Sequence, residues 1–236
     1  MTSERQNDQT FAPAIESAVN YTAWVLEQFG DSIGSNIVEV GIGHGGYSRY
    51  MPRGANYCGV DIDPINVEGA RLRHPRSKFV QADITTDDFV REFEPLAPDT
   101  ILCCNVIEHI RDDRLAVGNM LRVLAPKGKL LLFVPALPVL FNDLDRLAGH
   151  YRRYTKRSLR AAIPATGRIE SLVYFNSVGA VGWFANRLIP HRQIDSKSIA
   201  AQVEFFDRVL VPVSRIADRL TGRTFGQSLV AIVGKP

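Results

Sequence analysis

Short apolar runs alternate with amphipathic stretches through the first half of the chain. The runs predict strands at 37–40, 57–62, 78–82, 100–104 and 129–134. Helical spacing of apolar residues predicts helices at 64–73 and at about 112–124, and an earlier helix that ends at Gly30. Because most of these strands are apolar throughout, both of their faces must be covered, which is typical of a parallel sheet.

The pattern changes after residue 135. A long connection leads to apolar stretches that predict a strand at 169–175, a short helix at 179–190 and a closing strand at 228–233. Apolar residues also form a helical stripe, which we expect to pack on the sheet or to act as a lid, at positions 199, 203, 206, 210, 213, 217 and 220.

No segment is long or polar enough to act as a linker between two domains. We therefore expect one domain over residues 1–236. Its parts are an N-terminal tail and helix (1–35), a ligand-binding core (36–136) and a cap with helices and final strands (137–236).

A basic run covers residues 146–160, which contain six Lys or Arg and no acid. One interpretation is an exposed helix face with Ser158, Leu159 and Ile163 turned inward. The other is an anion-binding surface, in which Arg152, Arg153 or Lys156 meets a carboxylate, a phosphate or an anionic lipid.

Composition indicates an ordinary packed domain, because 45% of the 236 residues are apolar and 22% are charged. A net charge of +3 is too small to argue for nucleic acid or membrane binding. The three cysteines, Cys58, Cys103 and Cys104, have no metal-ligand spacing, so we expect no metal and a reducing compartment. The first ten residues are polar and unlike a signal peptide, and the run 130–141 is too short to span a bilayer. A cytoplasmic protein is the expectation.

Glycines crowd the turn that follows the first strand, at Gly41, Gly43, Gly45 and Gly46. Such a turn lets the backbone approach a ligand that a Cβ would hold away, and the helix start beyond it directs free N–H groups to the same place. Three of these glycines also satisfy the dinucleotide fingerprint, with Asp61 twenty residues after the first. An NAD cofactor therefore stays open at this point.

Polar residues end three of the predicted strands: Asp61 the second, Asp83 the third and Asn105 the fourth. Ligands of open α/β sheets collect at these carboxyl ends, so the three residues describe one adenosine-sized slot. No Lys or Arg lies between residues 37 and 48, which disfavours a ligand that carries a diphosphate.

Five segments together resemble class I S-adenosylmethionine-dependent methyltransferases, in the order and spacing of that family. They are EVGIGHG at 39–45, GVDID at 59–63, QADI at 81–84, NVIEHI at 105–110 and LAPKG at 124–128. The resemblance implies a doubly wound, mostly parallel α/β sheet of seven strands, with helical insertions in the C-terminal half. The last strand is implied to be antiparallel and inserted between two others.

The same resemblance implies S-adenosyl-L-methionine as cofactor. Its methionine part is expected near Glu39 and the glycines, its ribose at Asp61, and its adenine at Asp83 and Ile84. Asp63 is expected to cap a helix instead, because Pro64 follows it. The full expected cofactor set is Tyr21, Glu39, Gly41, Gly43, Gly45, Asp61, Ile62, Asp83, Ile84, Asn105, Val106 and Ile107.

Methyl transfer mainly requires that the acceptor be held near the methyl group, and a base assists when the nucleophile is a hydroxyl. The candidates lie beyond the fifth strand, in a segment where Asp145 precedes GHYRRY at 149–154, a pattern shared with a subgroup of the family. His150 is the first choice for the base, with Tyr151 and Asp145 beside it. The alternative is that His150 is a hinge residue whose side chain bonds to the backbone. His109 is expected to be structural.

These features predict methyl transfer, at oxygen because a histidine base suits a hydroxyl, to a small-molecule or lipid-like acceptor. No nucleic acid is expected as a partner. Membrane contact is expected to be peripheral at most, and a homodimer is compatible with the late apolar stripe. An NAD-dependent oxidoreductase and a non-catalytic S-adenosylmethionine-binding protein are the alternatives.

Overall fold

The computed structural model describes residues 18–43, 47–186 and 203–236. Within them seven strands form one sheet in the order β3-β2-β1-β4-β5-β7-β6. Their bounds are β1 Asn36–Val40, β2 Asn56–Asp61, β3 Lys78–Gln81, β4 Thr100–Cys104, β5 Lys129–Pro135, β6 Arg168–Phe175 and β7 Ser228–Gly234. Strands β1 to β5 pair in parallel, whereas β7 is antiparallel to both β5 and β6. The predicted fold class, including the inserted antiparallel strand, is confirmed.

Helices cover both faces of this sheet. Their bounds are α1 Val19–Glu27, α2 Pro64–Arg73, α3 Asp87–Phe93, α4 Asp113–Val123, α5 Asp143–Leu147, α6 Lys156–Ala162, α7 Ser177–Asn186 and α8 Val211–Leu220. A π-helical turn, Phe206–Leu210, leads directly into α8. Every helix in the described part of the chain is too short or too polar to cross a bilayer.

Alternation along the strands divides the core into two layers. On one face, Val38 and Cys103 pack with apolar residues of α3, α4 and α6. On the other face, Cys104 and Phe133 pack with α1 and the start of α8. The adjacent cysteines therefore point to opposite faces, and both are free and buried.

Two local predictions were incomplete or wrong. Helix α3 was not predicted, although Thr86 caps it and two aspartates open its first turn. In the basic run, Leu159 and Ile163 are buried as expected, but Ser158 is exposed and forms a capping box with Thr155. Arg153, expected on an exposed face or at an anion, is only 6% exposed.

The late apolar stripe does not face the sheet along its whole length. In α8 the buried residues are Val211, Ser214 and Asp218, whereas Val213 and Leu220 of the stripe are exposed. The buried positions are 207, 211, 214 and 218, which keep helical spacing, but three of them are polar, so an apolar stripe does not mark this face. Position 199 of the stripe lies outside the described residues.

Candidate active site

The turn after β1 is built so that only glycine fits at its first position. Gly41 has a φ of +71°, and its N–H donates to the Val60 carbonyl at 2.8 Å. A Cβ at Gly41 would lie 2.3 Å from Cγ2 of Val106, in the loop after β4. The turn and the β4 loop therefore pack directly against each other.

Gly43 has a φ of +49°, and its N–H donates to Oδ2 of Asp61 at 2.9 Å. Among the described residues, no atom lies within 4 Å of the position that a Cβ of Gly43 would take. The described part of the chain therefore leaves room beside this backbone. Gly45, the other glycine expected to contact the cofactor, lies outside the described residues.

Glu39 is buried in β1, just before the turn. It is 2% exposed and accepts a 2.6 Å hydrogen bond from the Tyr57 hydroxyl of β2. Burial raises the pKa of Glu39 to about 8, with a smaller contribution from nearby Asp61. The carboxyl joins the two strands beneath the turn, so its expected contact with the cofactor stays a prediction.

Asp61 and Asp63 have separate tasks at the end of β2. Besides Gly43, the Asp61 carboxylate accepts the backbone N–H of Asp63 at 2.9 Å. Asp63 caps α2, as predicted, by accepting the Ile65 N–H at 2.8 Å. Asp61 therefore shapes the turn and still presents a carboxylate beside it.

A depression of about 420 Å³ lies beyond the ends of β2 and β3. Ile62, 63% exposed, forms part of its wall with Asp83. Asp83 already accepts the N–H and the hydroxyl of Thr85, at 2.8 and 2.7 Å. The lining residues are Ile62, Val80, Gln81, Ala82, Asp83, Thr86, Asp88 and Glu92.

Three other expected cofactor residues, Ile84, Ile107 and Tyr21, have side chains that pack against other residues. Ile84 and Ile107 are 6% and 0% exposed and belong to the core, so backbone atoms are what they can offer a ligand. The ring of Tyr21 packs against Phe133 and Phe175. Asn105, in contrast, is exposed at the end of β4 with a φ of +54°.

The β4 loop also reaches the segment that was expected to bind the acceptor. While Val106 contacts the glycine turn, the His109 ring lies 4.6 Å from the His150 ring, edge to face. The backbone N–H of Tyr151 donates to the Glu108 carbonyl at 2.8 Å. One short loop therefore joins the two halves of the predicted site.

Asp145 holds His150 in place. Oδ1 of Asp145 lies 2.8 Å from Nδ1 of His150 and also accepts Nε–H of Arg153 at 2.8 Å. Burial raises the pKa of Asp145, but the hydrogen bonds from His150 and Arg153 outweigh it and keep the pKa below its usual range. Because Nδ1 is occupied, Nε2 is the nitrogen of His150 that can meet a ligand.

The other two expected catalytic residues differ in access. Asp145 was expected to be catalytic, but its side chain is fully buried, so it cannot touch a substrate and can only position His150. Tyr151 is 50% exposed, and its ring lies under the Arg111 guanidinium.

Two ionic residues here are buried, which the sequence did not predict. Arg153 also donates to the Ala136 carbonyl at 3.3 Å and lies 4.8 Å from the Trp183 ring centre. Glu108 is 0% exposed, and neither carboxyl oxygen has a hydrogen-bond partner among the described residues. Burial raises the pKa of Glu108 to about 8.

With this geometry in place, the chain was compared with known proteins. The family model described as "Methyltransferase domain" matches residues 38–132, which run from β1 into β5. Residues 38–132 are thus similar to methyltransferase domains.

Several curated relatives of this chain are named "Ubiquinone biosynthesis O-methyltransferase". The protein from Xanthomonas euvesicatoria pv. vesicatoria is 34% identical over 103 residues, which cover 42% of each chain. One from Xanthomonas campestris pv. campestris is 32% identical over 153 residues, 58% of this chain and 63% of its own. The chain thus spans about half the length of the curated relatives it matches.

A solved structure supports the fold over more of the chain. It is a putative sarcosine dimethylglycine methyltransferase from Galdieria sulphuraria, with a TM-score of 0.61 and 13% identity. The match covers 91% of this chain and 84% of that one. At this identity the likeness concerns the fold alone.

Proposed function

We propose that this methyltransferase transfers a methyl group from S-adenosylmethionine to an oxygen of a small-molecule or lipid-like acceptor. The observation that carries the proposal is the β4 loop, in which Val106 contacts Gly41 and His109 contacts His150. This loop supports a donor slot beside His150, whose Nε2 has no hydrogen-bond partner among the described residues. The names of the curated relatives support oxygen as the methylated atom.

The residues at the sheet edge fit S-adenosylmethionine better than a dinucleotide. Close backbone approach is available at Gly43, and the Asp61 carboxylate beside it suits the ribose hydroxyls. Exposed Ile62 offers an apolar surface for the adenine. The Gly43 N–H, which a diphosphate would need, is already bonded to Asp61, and no Lys or Arg lies between 37 and 48.

When bound, S-adenosylmethionine supplies a methyl group that its sulfonium has already activated. The acceptor oxygen gains this methyl group, S-adenosylhomocysteine is left, and the hydroxyl proton is released. Nε2 of His150 is placed to accept that proton, because Asp145 fixes the ring through Nδ1. Arg153 in turn fixes Asp145.

An apolar acceptor suits the surface around His150. Val139, Leu147, Tyr151 and Phe184 are between 44% and 57% exposed, and they come from the segments after β5 and from α7. Trp183 joins α7 to the segment after β5, because its Nε1–H donates to the Leu140 carbonyl at 3.1 Å. Such apolar side chains favour a bulky, lipid-like molecule over a small polar one.

Replacement of His150 by Ala tests the assigned role. We expect turnover to fall about 10²–10⁴-fold, because the hydroxyl proton loses its acceptor. S-adenosylmethionine affinity is expected to stay within error, since His150 lies on the acceptor side. Turnover is measured as S-adenosylhomocysteine formation with acceptors that co-purify with the protein, identified by mass spectrometry, and affinity by calorimetry.

Unchanged turnover in His150→Ala would remove His150 from the mechanism. Cofactor binding without S-adenosylhomocysteine formation on any acceptor would favour a non-catalytic binding protein. A shift of nicotinamide fluorescence on mixing with NADH would favour the oxidoreductase.

The remaining expectations belong to the same proposal. They are a single domain, a cytoplasmic location, no nucleic-acid partner, membrane contact that is peripheral at most, and a homodimer as the one assembly to test. The three free, buried cysteines agree with a reducing compartment.

A further inference from the structure

Three potential metal ligands converge on the acceptor side of the β4 loop. Glu108, His109 and His150 each offer one ligand atom, and these three atoms lie within 4.8 Å of one another. A tetrahedral ion with bonds of about 2.0–2.1 Å needs ligand atoms about 3.3 Å apart. The ligand atoms must therefore move closer together to bind an ion, and His109, the exposed member of the three, has the most room to move.

Glu108 is the unusual member of this group. It is 0% exposed, and both carboxyl oxygens lack a hydrogen-bond partner among the described residues. Buried polar groups are nearly always hydrogen-bonded, so a carboxyl with two unpartnered oxygens requires an explanation. A cation at this position would give those oxygens a partner.

His150 is held as metal ligands usually are. It bonds through Nδ1 to Asp145 at 2.8 Å, which leaves Nε2 directed away from that carboxylate. The His109 ring packs edge to face on the His150 ring, and its Nδ1 lies 3.8 Å from the position that a Cβ of Gly149 would take. Ligating histidines characteristically use their second nitrogen on a carboxylate or a carbonyl, which fixes the ring and its tautomer.

Once Glu108 has lost its proton, the local charge also suits a dication. The buried group contains two carboxyl side chains, Glu108 and Asp145, and one guanidinium, Arg153. Arg153 is bonded to Asp145, which leaves Glu108 without a formal ionic partner. The two imidazoles add donor atoms without adding charge when they are neutral.

We propose that Glu108, His109 and His150 bind one divalent transition-metal ion of the zinc or cobalt class. Two imidazoles and one carboxylate are a donor set that these ions accept while keeping a position open. The sequence pointed to no metal because His150 lies forty-one residues beyond His109, in no recognised ligand spacing.

This inference rests on the proposed methyl transfer, but it replaces the base role given above to His150 with a metal-binding role. With Nε2 of His150 on the ion, the histidine is a ligand and no longer the base. The open position would receive the acceptor hydroxyl and lower its pKa, and its proton would leave to solvent. The acceptor would then be a compound whose hydroxyl can coordinate a metal, such as a phenol or a catechol.

The test is a titration of Co²⁺ into the untagged, chelator-treated full chain, followed by visible d–d absorption. We expect one equivalent to bind, and affinity to fall by more than about 10-fold in His109→Asn and in Glu108→Gln. His109→Asn is the safer variant because its side chain is exposed. His74→Asn, which changes a histidine that contacts Ser48, is the matched control and should bind as the wild type does.

Absence of Co²⁺ binding by the wild type would overturn the proposal, and so would equal affinity in His109→Asn and His74→Asn. Calorimetry with S-adenosylmethionine on the metal-free protein reports separately on the proposed function. If the cofactor binds and Co²⁺ does not, the metal site is wrong and the methyltransferase assignment stands. If Co²⁺ binds and the cofactor does not, the proposed function is wrong.

Discussion

Glu39 shows how one buried carboxyl can couple the cofactor end of the sheet to pH. Its side chain lies within β1 and accepts the Tyr57 hydroxyl at 2.6 Å. Burial raises its folded-state pKa to about 8, from a reference value of 4.5. The stabilisation linked to its proton is therefore complete below pH 4.5 and is lost as pH rises through 8.

Glu39→Gln should flatten this dependence. Glutamine keeps the shape and an oxygen for the Tyr57 hydroxyl, but it has no charge to bury. Between about pH 5 and pH 9 the wild type should lose about 1–3 kcal/mol more of its free energy of unfolding than the variant. Urea unfolding without added cofactor measures the free energy of unfolding of the wild type and of the variant at each pH. Parallel pH profiles of the two proteins would contradict the raised pKa of Glu39.

At the residue scale, the sequence predicts residues whose neighbours are local. Asp63 was identified as a cap because Pro64 follows it, and Asp61 because it ends an apolar strand. The environments of Glu108 and Arg153 were beyond reach, since their burial depends on segments that meet only in the folded chain. For the same reason Asp145 was taken as a catalytic residue when its side chain is enclosed.

Among the elements, the segment between β5 and α6 depends most on polar contacts. Tyr154 forms a bridge with Ala136, and its hydroxyl donates to Asp113 at 2.8 Å. Asp145 and Arg153 form a buried ion pair with exposed side-chain fractions of 0% and 3%. This pair fixes the loop that carries His150.

Arg153→Met should destabilise the protein by about 3–5 kcal/mol, because it leaves the Asp145 charge buried without its guanidinium. The double variant Arg153→Met, Asp145→Asn should recover part of that loss, since no uncompensated charge remains. Chemical denaturation of the wild type, both single variants and the double variant gives the coupling energy. Strictly additive losses would show that the pair does not act as a unit.

Periodicity predicted the strands well because buried parallel strands are apolar throughout. It was wrong about the inward face of α8, where the buried face is partly polar. Asp218 caps the start of α7 by accepting the N–H groups of Asn176 and Ser177 at 2.8 and 2.7 Å. Asp207 caps α1 in the same way through Asn20 and Tyr21. Capping by distant acids leaves no hydrophobic signal.

For the whole molecule, the last strand of the chain is the one that closes the sheet. β7 lies between β5 and β6 and pairs with both along its length. The cap segment and the cofactor core therefore share one sheet, although the family match ends at residue 132.

We accordingly expect the full chain to unfold in urea as one cooperative transition, with coincident fluorescence and circular dichroism curves. The fluorescence of Trp24 and Trp183 reports helices α1 and α7, and far-ultraviolet dichroism reports all helices. Two separated transitions would contradict the single-domain expectation and would show that the cap unfolds independently of the core.

The proposed function depends on S-adenosylmethionine binding at the glycine turn, and calorimetric titration tests that binding most directly. We predict 1:1 binding of S-adenosylmethionine and S-adenosylhomocysteine to the wild type, and no heat from NAD⁺. Asp61→Ala should weaken the affinity by at least about 10-fold, since it removes a charged partner of both Gly43 and the ribose. Asp63→Ala, which removes only a helix cap, should leave affinity unchanged while costing about 1 kcal/mol of stability. Binding of NAD⁺ in place of S-adenosylmethionine, or equal affinities in the two aspartate variants, would contradict the account.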